Sequence, residues 1–397
     1  MLTPKPYYEF FCPVKIIAGH AALENIPFEL YSLGAKSVLI ITDKGVRANK
    51  LLDPVEAAFE GTDASIKVIF DDVPPDSSLT TVRDAARTYR DNGCDAIIAI
   101  GGGSVIDTAK AANILVSEGG DDLTKYSGAH NLSRPLKPFF VIPTTSGTGS
   151  ETTIAAMVSD TEKNIKMPFA SYHLLPNATI LDPRMTLTLP PHLTAMTAMD
   201  AMTHAVESYT CMAANPISEA YATAAIKLIS ENLFKVLSDP QDAYARLELA
   251  QASTMAGIAF SNAMVGLVHS IGHSVGAIAH LPHGLCMNLF LPYVLDYNKE
   301  VNAERIANLL LPLAGPEIYA STPANQRADK AIQTIRDMRD KIYELTKLPR
   351  TLQETGKVTQ DQFNAIANLS INDGSIIFNP KETTVADIIG VLEKAWK

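Results

Sequence analysis

Short apolar runs alternate with amphipathic stretches in the first half of the chain. A continuous apolar run is typical of a parallel strand that is buried on both faces, whereas apolar positions three and four apart are typical of a helix. Strands are predicted at 10–19, 36–42, 66–70, 94–100 and 138–142, with helices at 46–60 and 79–92. This alternation predicts an α/β domain over residues 1–188, built on a doubly wound, mostly parallel sheet.

The second half of the chain has helical spacing almost throughout and no strong strand pattern. Two consecutive prolines at 190 and 191 mark the change. Helices are predicted at 193–213, 217–236, 240–262, 264–279, 300–315, 323–347, 359–370 and 383–395. The pattern therefore predicts an all-α domain over residues 189–397.

One segment of the helical half carries no charged residue. No Asp, Glu, Lys or Arg occurs between Glu248 and Asp296. Such a run is either a buried helical core or a membrane span. Its Gln, Ser, Asn, His and Pro residues are too dense for a lipid environment, so we expect a buried core and no membrane span.

Four histidines lie within this uncharged segment, at His269, His273, His280 and His283. A single histidine on an apolar face is usually a core residue with a satisfied hydrogen bond. A cluster is harder to bury without a shared partner, because each imidazole needs a hydrogen bond or a metal. His269 and His273 are four residues apart, which places them on one face of a helix.

A second cluster lies earlier, where Asp200 and His204 are also four residues apart. A carboxylate and an imidazole at this spacing can bind one metal ion from one helix. Together the two helices can supply one Asp and three His ligands. That ligand set suits Fe(II) or Zn(II) and is poor for Mg or Ca, which prefer oxygen.

A glycine-rich turn follows the predicted strand at 94–100. Gly101, Gly102, Gly103 and Ser104 lead directly into a helix that contains Asp107. A strand, a glycine turn and a helix can bind a phosphate, because the backbone N–H groups and the positive helix end face the anion. The turn matches neither GxGxxG nor the Walker A motif. An ordinary tight turn is the alternative.

Two further features point to the same nucleotide site. The segment 143–151, PTTSGTGSE, is rich in hydroxyl groups and can be either a polar loop with a helix cap or a second wall of the site. Asp43 ends a predicted strand. An acid at this place can bind an adenosine ribose and repel a 2′-phosphate, which favours NAD over NADP, although an isolated Asp is also common in turns.

Net charge and cysteine content limit which partners and which cellular compartment fit the sequence. The 397-residue chain has a formal net charge of −10, which argues against nucleic acid as a partner. Its four cysteines have no CxxC spacing and indicate free thiols in a reducing compartment. The amino-terminal residues show no signal-peptide pattern, so we expect a cytoplasmic protein.

Taken together, these segments resemble the iron-containing, or group III, alcohol dehydrogenase family. The resemblance runs in order over nearly the whole chain, and the four linked motifs are more specific than any one of them. They are GGGSVIDTAK at 101–110, PTTSGTGSE at 143–151, DAMTHAVESY at 200–209 and the HSIGH…LPHG array at 269–284.

The resemblance implies an amino-terminal dinucleotide-binding domain and a carboxy-terminal metal-binding domain. It implies Asp200, His204, His269 and His283 as metal ligands, His273 as a nearby unligated histidine, and Phe260 as an aromatic wall of the substrate pocket. His280 matches no ligand and is expected to be structural. The implied cofactor residues are Asp43, Gly101, Gly102, Gly103, Ser104, Asp107, Thr144, Thr145, Thr148 and Lys166.

The chain also departs from the family pattern. Thr152 and Thr153 follow Glu151 where Val is frequent, and Ser375 stands where family members commonly have Cys. The second difference bears on the identity of the substrate and not on the reaction.

The implied activity is reversible hydride transfer between a primary alcohol, aldehyde or small diol and NAD(H), with the metal as Lewis acid. Fe(II) is expected from the resemblance, with Zn(II) possible, in a homo-oligomer of at least two subunits. The alternatives are a zinc-dependent polyol dehydrogenase, a dehydroquinate-synthase type of enzyme, and a non-catalytic nucleotide-binding scaffold. The absence of Lys and Arg from 249–295 disfavours the synthase type.

Overall fold

The computed structural model of the chain describes residues 7–160, 163 and 165–397. The prediction of no signal peptide rests partly on residues 1–6, which lie outside the described residues. The chain divides into two units. The α/β unit comprises residues 12–189 and 241–254, and the helical unit comprises the described residues up to Phe11 together with 190–240 and 255–397.

Within the described residues, the strands belong to the α/β unit. They are β1 (Lys15–Ala18), β2 (Ser37–Ile41), β3 (Ser65–Phe70), β4 (Ala96–Gly101), β5 (Gly128–Ala129), β6 (Phe139–Pro143), β7 (Ala155–Asp160), β8 (Ile165–Ala170) and β9 (Ala178–Leu181).

The larger sheet is parallel and has the strand order β1-β9-β6-β4-β2-β3. Successive side chains of β4 pack into separate cores on its two faces, Ile97 in one and Ile98 in the other. The accompanying helices are α1 (Ile26–Ser32), α2 (Lys44–Ala48), α3 (Asp53–Ala58), α4 (Leu79–Asp91) and α5 (Gly103–Glu118). The predicted doubly wound, mostly parallel sheet is confirmed.

The strand order reverses between β2 and β4. The chain leaves β2 toward β3 on one side, and it leaves β4 toward β6 on the other. In open α/β sheets, ligands bind beyond the carboxyl ends of the strands at such a point. Here β2 ends just before Asp43, and β4 ends in the glycine turn.

Three details of the α/β prediction were wrong. The strand expected at 10–19 covers only Lys15–Ala18, because Pro13 cannot donate a hydrogen bond to a neighbouring strand. The single helix expected at 46–60 is two helices, with Lys50 in the left-handed region between them at φ 55°. The three-stranded sheet β5-β8-β7 was not predicted, since its strands are short and their alternation is weak.

The helical unit contains no strand among its described residues, which confirms the all-α prediction. Helix α8, which begins in the α/β unit, is included in the following list. The helices are α6 (Pro191–Thr210), α7 (Pro216–Ser238), α8 (Ala243–Ser261), α9 (Leu267–Ala279), α10 (His283–Asn308), α11 (Leu310–Ala314), α12 (Pro316–Ser321), α13 (Arg327–Thr346), α14 (Phe363–Ser370) and α15 (Val385–Lys394).

Helix α10 begins much earlier than the helix predicted at 300–315. Its first turns are buried and apolar around most of the helix, so they lack the polar face that reveals an amphipathic helix. Pro292 lies inside it, and a proline usually indicates a helix end. No helix of the described chain is both long enough and apolar enough to cross a membrane.

A buried lysine connects α5 to the loop after β6. Lys110 is 0% exposed. Its Nζ donates to the carbonyl oxygens of Ser150 at 2.7 Å, Thr153 at 2.8 Å and Ala155 at 2.8 Å. Burial lowers the pKa of Lys110 to about 8, which still leaves the ammonium charged at neutral pH. The charge therefore holds the 143–155 segment in place.

Replacing Lys110 with Met should destabilise the protein strongly. The three carbonyl groups would stay buried without their donor, and removing one partner of a buried charged network costs about 3–5 kcal/mol. Urea unfolding measures the effect. Lys125→Met is the control, because the Lys125 side chain is 71% exposed. Equal free energies of unfolding for both variants would contradict this role of Lys110.

Candidate functional site

Four side chains from three helices of the helical unit converge on one point. Asp200 and His204 project from α6, His269 from the first turn of α9, and His283 is the first residue of α10. One ligand atom from each lies within 4.8 Å of the others. The structure thus brings together the four residues that the family resemblance implies as metal ligands.

The distances among these groups are short. His283 Nε2 lies 3.3 Å and His204 Nε2 lies 4.0 Å from Asp200 Oδ1. The rings of His204 and His269 stack with centroids 4.7 Å apart. Asp200, His204 and His269 are each no more than 5% exposed, while the His283 side chain is 41% exposed. The group is therefore closed on the side of α6 and more open beside His283.

Two glycines allow the helices to approach closely enough for this convergence. A Cβ atom at Gly284 would lie 2.6 Å from the backbone oxygen of Met196, so only glycine fits where α10 begins against α6. A Cβ atom at Gly272 would lie 3.3 Å from Cys286 Cβ and would displace the flexible end of Met287, where α9 packs against α10. The position of His283 thus depends on a neighbouring glycine.

The donor set fits a metal ion. Burial lowers the pKa of His204 to about 3 and the pKa of His269 well below its ordinary value, so both rings are neutral and have a lone pair to offer. Burial opposes ionisation of Asp200, but its pKa is lowered, and the hydrogen bond from His283 is a cause that does not require a charged His204 or His269. His269 Nε2 is buried and has no hydrogen-bond partner among the described residues. A borderline divalent cation would satisfy it.

A buried glutamate supports this group and was missed by the sequence reasoning. Glu207 Oε2 lies 2.5 Å from His269 Nδ1. Burial raises the pKa of Glu207 to about 7, although backbone N–H groups at the start of α9 lower it. A signal was present, because Glu207 is three residues after His204 and so shares its helix face.

His273 lies beside the four-residue group and has a different partner. Its ring centroid is 5.4 Å from that of His283, and its Nδ1 is 2.9 Å from Asp373 Oδ2. Burial alone would raise the pKa of Asp373, but the hydrogen bonds from His273 and Ser375 lower it to about 2. Asp373 was also missed, since it is distant in sequence and has no periodic relation to His273.

Two further predicted residues have defined places. The Phe260 ring stacks on His204 with centroids 4.3 Å apart and an interplanar angle of 18°. It thus forms an aromatic wall beside the group. His280 is the C-cap of α9 in the left-handed conformation, in keeping with the structural role that we expected for it.

In the α/β unit, the glycine turn lies against the hydroxyl-rich loop. A Cβ atom at Gly102 would lie 3.4 Å from Thr145 Oγ1, and one at Gly103 would lie 3.0 Å from Thr148 Cγ2. The N–H of Thr144 donates to the carbonyl of Gly101 at 3.1 Å. The two segments are therefore adjacent at the carboxyl edge of the sheet.

The remaining cofactor candidates differ in their surroundings. Asp43 caps α2 by accepting a bond of 2.9 Å from the Val46 N–H. Ser104 donates to the carbonyl of Pro75, and Lys166 pairs with Asp76 at 3.1 Å.

Asp107 accepts bonds through both carboxylate oxygens. Ser150 Oγ donates to Oδ1 at 2.8 Å, and the Met157 N–H donates to Oδ2 at 2.9 Å. Its carboxylate thus holds the neighbouring loop, and its contact with the cofactor stays a prediction.

Comparison with known proteins gives the family. Residues 13–183 match the family model described as iron-containing alcohol dehydrogenase, and residues 194–396 match the carboxy-terminal model of the Fe-containing alcohol dehydrogenase family. The chain is 35% identical over 387 residues to the NAD-dependent methanol dehydrogenase of Bacillus methanolicus, covering 97% of this chain and 99% of that protein.

A second relative and a solved structure belong with the same family of dehydrogenases. The chain is 35% identical over 395 residues to 1,3-propanediol dehydrogenase of Klebsiella pneumoniae, covering 98% of this chain and 99% of that one. A crystal structure of a 1,3-propanediol oxidoreductase superposes with a TM-score of 0.92 at 34% identity, over 98% of this chain and 100% of that one. The chain belongs to the iron-containing alcohol dehydrogenase family, and it is an oxidoreductase that acts on the CH–OH group of alcohols.

His269 and His273 should behave differently when each is replaced by Ala. His269→Ala should lose bound metal and nearly all activity, because its Nε2 is buried toward the other ligands. His273→Ala should keep stoichiometric metal and nucleotide binding but lose rate, with an altered pH–rate profile. Metal analysis and pH–rate curves on both variants test this. Metal lost from His273→Ala and retained in His269→Ala would reverse the assignment.

Proposed function

We propose that this enzyme interconverts small primary alcohols or diols with their aldehydes, using NAD(H) and an Fe(II) ion held by Asp200, His204, His269 and His283. The convergence of one carboxylate and three imidazoles is the observation that carries the proposal. The names of the relatives, which include a methanol and a 1,3-propanediol dehydrogenase, support a small alcohol as substrate.

The chemistry of the site follows from its residues. When bound, the metal supplies Lewis-acid chemistry that increases the acidity of an alcohol oxygen, and NAD supplies the hydride acceptor. Neutral His204 and His269 would offer lone pairs to the ion, and the single carboxylate of Asp200 would offset only part of a divalent charge. Phe260, stacked on His204, restricts the space beside the ligands.

His273 is the proposed proton relay. Asp373 accepts from Nδ1, which leaves Nε2 as the ring atom that can take up a proton. The side chain is 44% exposed, so it can exchange that proton with solvent. The low pKa of Asp373 keeps its carboxylate charged at neutral pH, so it is a steady acceptor that holds the His273 ring in this orientation.

NAD is the proposed cofactor, held by the carboxyl edge of the parallel sheet. The proposed contacts are the turn at 101–104 for the pyrophosphate, Thr144, Thr145 and Thr148 as a lining, Lys166 for a ribose and Asp43 for the adenosine ribose. The position of Asp43 directly after β2, beside the reversal of strand order, supports this arrangement.

A homo-oligomer and a cytoplasmic location complete the proposal. The first strand, β1, is at the edge of its sheet and pairs only with β9 among the described residues, and such an edge can pair with a second copy. All four cysteines are free thiols, as expected in a reducing compartment. Light scattering coupled to gel filtration would measure the subunit number.

Metal identity can be tested by reconstitution. Apo-enzyme loaded anaerobically with Fe(II) should reduce NAD with ethanol, butanol or 1,3-propanediol, followed by NADH absorbance, and should lose activity on storage in air. Anaerobic Fe(II) should restore it. Equal and air-stable activity with Zn(II) alone would overturn the choice of iron and favour the zinc-dependent polyol dehydrogenase, while leaving the ligand set intact.

Cofactor choice can be tested at Asp43 without disturbing α2. Asp43→Asn keeps an oxygen that accepts from the Val46 N–H but removes the charge. Replacement by glycine would remove the side-chain cap of α2 as well. The ratio of kcat/KM for NADP to that for NAD should rise by about tenfold, or about 1.4 kcal/mol. Asp91→Asn, an exposed carboxylate at the end of α4, is the control. A wild-type preference for NADP would contradict the proposal.

A further inference from the structure

Glu207 makes two contacts to the beginning of α9 with one carboxylate. Oε2 lies 2.5 Å from His269 Nδ1, and Oε1 accepts a bond of 2.7 Å from the Val268 N–H. Its side chain is 6% exposed. The same helix, α6, carries Asp200 about two turns and His204 about one turn before Glu207. One buried side chain therefore links the two helices that bear three of the proposed ligands.

The start of α9 has the features of a helix end that receives its cap from elsewhere. Its N-cap is Gly266, which has no side chain to accept from the first N–H groups. A Cβ atom at Gly266 would lie 3.2 Å from Glu207 Oε1, so glycine leaves room for the carboxylate. A negative charge at a helix N-terminus is also favourable. Glu207 thus takes the place of a local cap.

The second contact sets the tautomer of a ligand. A neutral imidazole carries one proton, and a metal ligand that binds through Nε2 must carry it on Nδ1. Glu207 Oε2 is placed to accept that proton, which leaves the lone pair on Nε2, the buried atom without a hydrogen-bond partner among the described residues. Carboxylates that orient ligating histidines typically contribute 10- to 100-fold in metal affinity.

We propose that Glu207 is the positioning residue of the metal centre: its carboxylate fixes both the start of α9 and the tautomer of His269 relative to α6. The inference rests on the proposed ligand set. Glutamine is the informative replacement, because it has the same shape but only one acceptor oxygen. The glutamine oxygen can accept from the Val268 N–H or from His269 Nδ1–H, but not from both. Its NH2 group then faces the other donor, to which it cannot form a hydrogen bond.

The test measures Zn(II) affinity of the full-length apo-protein by competition with a chelator. Glu207→Gln should weaken the affinity by about 10- to 100-fold, and Glu207→Asp, which keeps both acceptors on a shorter side chain, should recover part of the loss. Glu219→Gln is the control, a carboxylate on α7 whose partner is Arg305 at 2.8 Å, and it should bind Zn(II) like the wild type.

His283→Ala separates this inference from the ligand set. If His283→Ala weakens Zn(II) binding and Glu207→Gln does not, the positioning role is overturned while the ligand set stands. If His283→Ala binds Zn(II) like the wild type, the ligand set itself is wrong.

A measurement on the wild type covers the case in which the Glu207 variants fail to fold. Nitrogen-15 NMR of histidine-labelled apo-protein reports which ring nitrogen of each neutral histidine carries the proton. The His269 signal, assigned by its loss in His269→Ala, should show a proton on Nδ1. A proton on Nε2 would overturn the proposal.

Discussion

Two imidazoles and a carboxylate are expensive to bury together unless a shared partner satisfies them. Asp200, His204 and His269 lie in the interior of a helical unit, where an unpaired polar atom costs free energy that packing must offset. Burial keeps the two histidines neutral, and neutral imidazoles do not cancel one another by ion pairing. A divalent cation resolves this conflict, because it accepts every lone pair at once. The folding of this region and its chemistry thus share one requirement.

The helices meet at this point because small residues remove obstacles. Gly284 lets the start of α10 touch the backbone of α6, and Gly272 lets α9 approach α10. Glu207 then supplies a directional contact that packing alone lacks. In the α/β unit, Lys110 has a comparable role, since one buried ammonium holds the carbonyl groups of a loop that the glycine turn faces. In both units a buried charge orients backbone and side chains around a glycine contact.

Much of the fold and of the candidate metal site could be predicted from the sequence. The spacing of Asp200 and His204 and the doubly wound sheet follow from local periodicity, and the ligand assignment of His283 came from family resemblance. Other features depend on contacts between distant residues. Glu207 pairs with His269 and Asp373 pairs with His273, and no local pattern encodes either pair. The first turns of α10 were missed because a helix buried on nearly all sides has no polar face, and its internal proline suggested a break.

We propose that Asp200, His204, His269 and His283 together form the coordination shell of one metal ion. X-ray absorption at the iron edge, on protein reconstituted anaerobically with one Fe(II) per chain, would identify the ligand atoms. We expect scattering from three imidazole rings and a carboxylate oxygen in the wild type, no imidazole lost in His273→Ala, and little iron bound by His269→Ala. A sulfur ligand, or an imidazole lost in His273→Ala, would show that other residues form the shell.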